Sequence, residues 1–471
     1  MKVQFKVLSH ACLLLKTEKH SIIIDPWLLG SCYWRSWWNF PKANFNEHEL
    51  LDVDAVIISH IHWDHWHSPT LKKYFKNKDI IIPDEPGLRS ERDLRKMGFK
   101  TINRIKHGKK ISIGDIDLSL YQFGLLSTDA AIVIEAGGIK ILNANDAKLA
   151  GLPLNNLVKI HGKFDFALRS HSSANPRICY QIEGEKFAHF DDQEHYFRSY
   201  KLFMDAVNPR YAIPFASNHC HLHKEVYKFN SYITNPVDLE RYLDLSPAKK
   251  SWKLIVMMPG SEWNSDKGFI LKEPTEFRNK DDSIENYLQE VHSTLEKYYD
   301  RENNTNVTEK IWAKFLSFCS TSLMLKRIYG NFMVTITRLD GFGETRLIEG
   351  KNQYPIEFTC KSKPGLPNII IPAIIFKDAV RMNMFEHAGI SKRCKYIASN
   401  NEDMNRLIRI VSLLEKRERF PRDITFRHAI RFLVAYVRRW RELLVYTQAF
   451  YYKYFKKLPL YLVEEEILKK T

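Results

Sequence analysis

Three features are missing from this sequence, and each absence narrows the kinds of protein it can encode. The seven cysteines are scattered and form no C-x-x-C pair, which argues against a disulfide scaffold and a structural zinc finger. The first residues, MKVQFKVLSHACLLLKTEKH, lack the apolar core and small-residue cleavage site of a signal peptide. No run of about eighteen or more apolar residues occurs, which argues against a transmembrane helix. We therefore expect a cytoplasmic protein in a reducing compartment.

Acidic residues are scarcer than basic ones. The 71 lysines and arginines outnumber the 55 aspartates and glutamates, which gives a formal net charge of +16. This excess is larger than solubility requires and indicates an anionic partner. The expected partner is a small-molecule substrate that carries phosphate or carboxylate, with a nucleic acid or an anionic membrane surface as alternatives.

The chain of 471 residues is too long for one hydrophobic core of ordinary size, so more than one domain is expected. Residues 1–265 contain short apolar runs at close intervals, which predict sheets with helices packed outside them. Residues 266–282 are polar and weakly periodic and form the predicted linker. Residues 283–471 are predicted to form a smaller, helix-rich α+β domain. Its predicted strands are 331–338, 343–348, 354–360 and 367–372.

The last predicted helical stretch, roughly residues 422–457, combines many arginines and lysines with many aromatic residues. Such a helix can lie on an anionic membrane or grip a nucleic-acid backbone. A solvated basic face over an aromatic stripe that packs into the core gives the same pattern, and we favour this structural interpretation. The carboxy-terminal domain could also shape the substrate pocket or form a homodimer.

The segment SHIHWDHWHS carries an H-x-H-x-D-H motif directly after a predicted strand. His60 and His62 lie two residues apart on an extended segment, so their rings point to one side and can share a metal. Asp64 and His65 continue into the next turn and can hold a second metal nearby. His67 lies outside the motif and is expected at solvent or in a supporting contact. The motif predicts one or two divalent metals, zinc first, with iron or manganese as alternatives.

Together with three other segments, this motif resembles the metallo-β-lactamase superfamily. Within that superfamily it is similar to the lineage of ascorbate-6-phosphate lactonase-like proteins and CMP-N-acetylneuraminate hydroxylase, without the Rieske domain of the hydroxylase. The other segments are SHACLLLKTEKHSIIIDPWLLGS, KILNANDAK and IPFASNHCHLHKEVYKFNSYITNP. The resemblance covers about residues 8–236 and implies an αββα sandwich over residues 1–265, followed by the α+β domain.

The resemblance also implies roles for single residues. Asp25 corresponds to a buried aspartate that supports the metal site by hydrogen bonds and is not a ligand. Asp146 corresponds to the carboxylate that bridges the two metals. His223 best matches the distal histidine of the second site, although the neighbouring His219 and His221 leave that register open. Each of these residues has a plain structural alternative as a turn, cap or strand-end hydrogen-bonding group.

One departure from the family pattern affects the first site. The family usually places a third histidine before the strand that leads to the bridging aspartate, but this sequence reads FGLLSTDAAIVIE there and has no histidine between 108 and 160. His171, His219 and His221 are the candidates to replace it. If none does, the first site is incomplete, with one metal in place of two.

A metal-bound hydroxide in this fold most often serves hydrolysis. We therefore predict a metal-dependent hydrolase that acts on an anionic substrate, with Asp64 and His65 as catalytic ligands. The alternative implied by the resemblance is a diiron oxygenase that is reduced by a separate protein, because the chain has no C-x-H…C-x-x-H pairing for a Rieske cluster. A degenerate binding protein is the third possibility.

Overall fold

The computed structural model describes residues 2–124, 128–172, 176–185, 193–246, 250–320, 331–348, 365–417 and 426–471. Two large sheets lie in the amino-terminal part. The first has eight strands in the order β19-β18-β1-β2-β3-β6-β7-β8. Its strands are β1 Val3–Val7, β2 Leu13–Thr17, β3 Ser21–Ile24, β6 Ala55–Ile57, β7 Asp79–Pro83, β8 Ile102–Ile105, β18 Glu262–Asn264 and β19 Gly268–Ile270.

The second sheet has seven strands in the order β17-β15-β13-β12-β11-β10-β9. Its strands are β9 Lys110–Ile113, β10 Ile116–Phe123, β11 Asp129–Ala136, β12 Ile139–Asn145, β13 Phe166–Arg169, β15 Tyr211–Pro214 and β17 Lys253–Leu254. A small third sheet joins β4 Ser31–Cys32, β5 Trp37–Asn39 and β16 His219–His221.

The two large sheets pack face to face because alternate residues of each strand point to one side. Val3, Phe5 and Val7 of β1 are buried in the same core cluster as Ile132 and Ile134 of β11. The opposite faces carry a second set of apolar residues, so each sheet is also covered by helices on its outer side. This arrangement confirms the predicted αββα sandwich.

The helices of the described residues run from short connectors to one of 24 residues. In the amino-terminal part they are α1 Glu47–Leu51, α2 Ser68–Tyr74, α3 Arg89–Lys96, α4 Gly151–His161, α5 Glu194–Val207 and α6 Pro236–Leu245. The later ones are α7 Thr275–Arg278, α8 Lys280–Asn303, α9 Glu309–Ser320, α10 Ala373–Met382, α11 Phe385–Ile390, α12 Asn401–Arg417, α13 Phe426–Arg438, α14 Trp440–Tyr454 and α15 Leu460–Leu468. Single 3₁₀ turns occupy Pro176–Cys179 and Tyr227–Tyr232.

A five-stranded sheet forms the core of the carboxy-terminal part, in the order β14-β23-β22-β20-β21. Its strands are β14 Tyr180–Ile182, β20 Phe332–Thr337, β21 Gly343–Ile348, β22 Asn368–Pro372 and β23 Lys395–Ala398. Three of the four predicted strands therefore have counterparts, and 354–360 lies outside the described residues. The mixed, helix-rich α+β character of this part is confirmed.

Each of the two parts of the chain contributes helices or strands that pack on the other part. Strand β14 belongs by sequence to the amino-terminal part but pairs with β23, while α14 and α15 return to pack against α4 and α5. The predicted linker 266–282 contains β19 and α7, and β19 pairs with β18. The division of the chain at these residues stays a prediction.

The basic, aromatic stretch 422–457 forms α13 and α14, and its residues 422–425 lie outside the described residues. The prediction that the aromatic residues of this stretch pack into the core is wrong for most of them. Phe450, Tyr454 and Phe455 are between 56% and 70% exposed, because the side of α14 that packs inward presents Val445 and Tyr452. Among the described residues, no helix combines the length and the apolar character needed to cross a bilayer.

Candidate metal centre

The candidate metal-binding side chains gather where several strands end. His10 follows β1, the H-x-H-x-D-H segment follows β6, and Asp146 follows β12. Asp129 opens β11, beside the end of β12 in the same sheet. Because polar groups at strand ends converge on one edge of a sandwich, residues distant in sequence share one site.

Three overlapping groups at this edge have the composition and spacing of metal ligands. In each group one ligand atom per residue lies within 4.8 Å of the others. The groups are His60, His62 and Asp129; His60, His65 and Asp146; and His10, Asp64 and His65. Imidazole and carboxylate donors at such distances suit zinc, iron or manganese. The residues therefore fit the one or two metals that the motif predicts.

The ligand atoms within each group lie close enough together to surround one metal ion. His65 Nε2 lies 3.2 Å from Asp146 Oδ2 and 3.6 Å from Asp64 Oδ2. His10 Nε2 lies 3.1 Å from Asp64 Oδ2, and His60 Nε2 lies 4.0 Å from Asp129 Oδ1. Burial raises the pKa of Asp64, but His65 and His10 outweigh it and hold that pKa well below its usual range. Asp64 is therefore a carboxylate at neutral pH.

Asp25 supports the ligand rings from behind. It accepts hydrogen bonds from the Ser59 backbone N–H at 2.7 Å, from Ser59 Oγ at 2.6 Å and from Asn145 Nδ2 at 2.7 Å, and it lies 2.9 Å from His65 Nδ1. Ser59 Oγ in turn lies 2.9 Å from His60 Nδ1. These contacts engage the outer nitrogen of both rings and turn each Nε2 toward the cluster, as outer contacts of metal-binding histidines usually do.

The backbone around this support is strained. Asp25 and Asn145 both have positive φ, 46° and 48°, which is uncommon for residues other than glycine. Asp25 directly follows β3, Asn145 is the last residue of β12, and both belong to the hydrogen-bond set beneath the cluster. Strain of this kind concentrates at functional sites, where the surrounding structure holds it in place.

Tyr33 contacts the cluster from the other side. Its hydroxyl donates to Asp64 Oδ1 at 2.5 Å and accepts from the Trp63 backbone N–H at 3.1 Å. Burial raises the pKa of Tyr33 well above its usual value, so the phenol keeps its proton. Tyr33 thereby holds Asp64 Oδ1, while His10 lies beside Oδ2 of the same carboxylate.

The structure does not bring His223 to the cluster. Its Nε2 lies 3.3 Å from Glu302 Oε2, and its Nδ1 accepts from the Glu225 backbone N–H at 3.2 Å. Arg393 completes this group through two contacts to Glu302, at 2.5 and 2.8 Å. His223 therefore belongs to a buried ionic group that joins the two parts of the chain. His10 is the additional histidine beside Asp64 and His65.

The three candidates to replace the missing histidine lie at different distances from the cluster. His219 stacks flat on Trp37 with ring centroids 3.7 Å apart, and its ring centroid is 5.8 Å from that of His10. His171 is fully buried, and burial and His10 lower its pKa to about 3. His221 faces away, with Nδ1 3.1 Å from Ser36 O and Nε2 3.3 Å from Lys392 Nζ. None of the three is in a ligand group of the described residues.

Sequence reasoning missed His10 and Asp129. Both had a signal. His10 stands in the quoted segment SHACLLL, one of the pieces that carries the family resemblance, and Asp129 stands in the segment where the usual histidine is absent. A carboxylate can fill a histidine position at a metal, so the missing imidazole did not require a substitute from another loop.

The carboxy-terminal part reaches the same site. Glu386 of α11 places Oε1 3.4 Å from His62 Nε2, and His387 Nε2 lies 3.2 Å from the Ile61 carbonyl oxygen. A cavity of about 320 Å³ is lined by His62, Asp129 and Asp146 from one part, with Glu386 and Ile390 from the other. A larger cavity of about 800 Å³ lies on the far side of Tyr33 and Trp63 and contains no member of the three ligand groups.

Comparison with known proteins gives one family match. Residues 4–145 match the β-lactamase superfamily domain. The chain is 26% identical over 280 residues to a Mycobacterium tuberculosis protein named for a Rieske 2Fe-2S iron–sulfur centre, which covers 55% of this chain and 53% of that protein. It is 33% identical over 156 residues to the cytidine monophosphate-N-acetylneuraminic acid hydroxylase of Mus musculus, over 31% of this chain and 26% of that protein.

Solved structures give a weaker likeness. A metallo hydrolase from Ignicoccus hospitalis aligns with 56% of this chain and 99% of its own, at 16% identity and a TM-score of 0.38. The sequence matches cover about half the length of the mycobacterial relative and about a quarter of the mouse enzyme. The predicted resemblance to the metallo-β-lactamase superfamily is confirmed for the amino-terminal part.

Proposed function

We propose that the β-lactamase superfamily domain at residues 4–145, with the chain around it, is an iron-dependent oxygenase that hydroxylates an anionic substrate. One observation carries the proposal: the first ligand group is His60, His62 and Asp129, two imidazoles and one carboxylate. That donor set with open positions is typical of non-haem iron oxygenases. A relative named as a hydroxylase and a relative named for an iron–sulfur centre support the same choice.

The proposed reaction balances with a defined co-reactant. One oxygen atom of O₂ is inserted into a C–H bond of the substrate, and the other leaves as water after taking up two electrons and two protons. Bound iron supplies oxygen activation and the one-electron steps that side chains of this site cannot perform. Residues 1–471 contain no cysteine and histidine pairing for a Rieske cluster, so the two electrons come from a redox centre outside these residues.

The residues of this chain position and shield the site. Asp25 and Ser59 fix the rings of His65 and His60 through their outer nitrogens. The Tyr33 hydroxyl keeps its proton, donates a hydrogen bond to Asp64 Oδ1 and helps to orient that carboxylate. Residues of α11 close one wall of the cavity and limit its contact with water, which strengthens every electrostatic interaction inside.

A basic notch in the same cavity suits an anionic group. Arg169 is buried, its Nη2 donates to Glu464, and its Nη1 has no hydrogen-bond partner among the described residues. Lys148 Nζ lies 3.7 Å from the second oxygen of Glu464. Both cations line the cavity beside Asp146. A carboxylate or phosphate of the substrate can therefore receive charge-assisted hydrogen bonds next to the metal centre.

Hydrolysis is the second candidate function. His65 and Asp146 form a ligand group with His60, so two metals can share one edge of the cluster. Two metals so placed orient and activate a water for attack on a carbonyl or phosphoryl centre, and zinc serves this reaction. Both candidates use the same protein residues and differ in the metal.

Metal analysis of the full chain tests the proposal. Protein produced in medium that supplies iron and zinc equally is expected to contain stoichiometric iron, with an absorption band in the near-ultraviolet or visible range. On exposure to O₂ and a chemical reductant, it is expected to consume oxygen. Stoichiometric zinc with no such band would overturn the oxygenase proposal in favour of hydrolysis, and protein that takes up neither metal would overturn both.

A further inference from the structure

Large apolar side chains that remain exposed are concentrated in one short stretch of the chain. Of the twenty-two among the described residues, twelve lie between positions 426 and 455. They are Phe426, Ile430, Leu433, Val434, Val437, Trp440, Leu443, Leu444, Phe450, Tyr451, Tyr454 and Phe455. We call these side chains the apolar face of α13 and α14. Scattered exposed apolar residues are ordinary, but twelve of them on two consecutive helices indicate an interaction surface.

The spacing of these residues is that of a helix face. In α13 they recur at 426, 430, 433, 434 and 437, and in α14 at 440, 443, 444, 450, 451 and 454. Intervals of three and four residues place side chains on one side of a helix. The opposite side of α14 presents Glu442, Val445 and Tyr452, which are buried. Helix α14 is therefore apolar on two sides, and only one of them is used for packing.

The charges around the apolar face have one sign. Seven basic residues that are at least partly exposed accompany it: Arg427, Arg431, Arg438, Arg441, Lys453, Lys456 and Lys457. Glu442 is the sole carboxylate between 426 and 457, and it is buried against Arg439. The exposed surface of both helices is therefore apolar and cationic. The two helices expose no carboxylate of their own, and Arg431 lies 3.7 Å from Asp84 of another segment.

This chemistry distinguishes among three kinds of partner. A symmetric contact with a second copy would bring two sets of cations together without carboxylates to pair them. A nucleic acid would use the cations and some aromatic rings, but the aliphatic Ile430, Leu433, Val434, Val437, Leu443 and Leu444 would gain nothing from phosphates. An anionic bilayer takes both, because its acyl region accepts the apolar side chains while its headgroups attract lysine and arginine.

We propose that α13 and α14 bind the chain to the surface of an anionic membrane, with the apolar face in the interface and the basic residues at the headgroups. The helices have 13 and 15 residues, and no described helix is of a kind that spans a bilayer. They therefore lie along the surface. This surface function is independent of the reaction proposed for the metal centre.

Vesicle sedimentation with the full chain tests the proposal. The chain is expected to sediment with vesicles of phosphatidylcholine mixed with phosphatidylserine, and to bind phosphatidylcholine vesicles far less. Changing Lys453, Lys456 and Lys457 together to Gln is expected to weaken binding to the anionic vesicles by about a hundredfold, since each lysine near such a surface contributes about fivefold. A control changes three exposed lysines elsewhere, Lys19, Lys253 and Lys267, to Gln and should shift binding far less.

Apolar substitutions separate membrane insertion from simple charge attraction. Leu433→Ser, Phe450→Ser and Phe455→Ser together remove three exposed side chains and should abolish vesicle binding. Leu245→Ser, at a more exposed leucine elsewhere, should not. Circular dichroism and metal content should stay unchanged in both variants. Failure of the native chain to sediment with anionic vesicles overturns the proposal, as does full binding by the apolar variant. Dimerisation or duplex binding in place of vesicle binding would assign the surface to those partners.

Discussion

Folded chains usually bury apolar side chains and expose ionisable ones. The metal centre and the apolar face of α13 and α14 depart from this rule in opposite ways. At the metal centre, five imidazole or carboxylate side chains are buried in close contact: His10, Asp25, His60, Asp64 and His65. On α13 and α14, twelve large apolar side chains are left in water. Buried ionisable groups and exposed apolar surface both cost stability. Both arrangements become favourable when something outside the chain, a cation or a lipid surface, completes them.

Two buried polar clusters of the structure differ in the same way. The metal centre and the group of His223, Glu302 and Arg393 are both buried. In the second group a guanidinium already neutralises the carboxylate. The first group consists of histidines and carboxylates, the side chains that divalent metals bind. A metal ion can therefore supply positive charge there.

The largest expected effect is at the first ligand group. Changing His60 and His62 together to Ala removes two of its three donors and should abolish metal binding there, which metal analysis after dialysis would measure. The matched control changes the exposed His48 and His292 to Ala and should keep the native metal content. Undiminished metal in the His60 and His62 variant would contradict the site assignment.

The second expected effect is on stability, at the buried group of His223, Glu302 and Arg393. Glu302→Ala removes two hydrogen bonds of the buried Arg393, which keeps its pair with Glu225, and it leaves His223 without its carboxylate partner. It should lower the free energy of unfolding by about 3 kcal/mol, with metal content unchanged. Glu290→Ala on the same helix removes a pair with Lys42 that is more than half exposed, and should change stability little. Denaturant unfolding measures both. Loss of metal in the Glu302 variant would show that the His223 group belongs to the metal centre after all.

The smallest effect concerns a histidine next to the carboxy-terminal helices. Burial, with Arg439 nearby, lowers the pKa of His107 to about 4. The unfolded chain binds this proton near pH 6.5, so the stability that the neutral ring contributes is present above pH 6.5 and is lost as pH falls toward 4. After allowance for partial exposure, the loss should be about 2 kcal/mol. His107→Gln should flatten the unfolding free energy in this range, and an unchanged pH dependence would contradict the burial of His107.

Much of the sandwich could be predicted from the sequence, because strands buried on both faces read as short apolar runs such as SIIID and AVIIS. The H-x-H-x-D-H segment could be predicted because its four side chains are neighbours in the chain. His10 and Asp129 join the cluster through the pairing of β1 and β11 with their sheets, and this depends on tertiary structure. For the same reason sequence could not place His223, whose partners lie 79 and 170 residues away in Glu302 and Arg393.

The carboxy-terminal helices illustrate the opposite error. Their pattern of aromatic and basic residues predicted a packed stripe because periodicity reports that a helix has an apolar side, and not whether another element covers it. Trp440 and Phe450 have the spacing of core residues and are 49% and 56% exposed. Which side of α14 packs is decided by its contacts with α4 and α15. Helix α4 lies far earlier in the chain, so periodicity within α14 could not reveal this contact.

The proposed iron preference of the first ligand group depends on Asp129. Asp129→His would replace the carboxylate by the third imidazole that the family usually has, so it should shift the metal preference from iron to zinc. The measurement is the ratio of iron to zinc in native chain and variant, produced side by side in medium that supplies both metals equally. We predict iron in excess in the native chain and zinc in excess in the variant. The same ratio in both proteins, or zinc in excess in the native chain, would contradict the account.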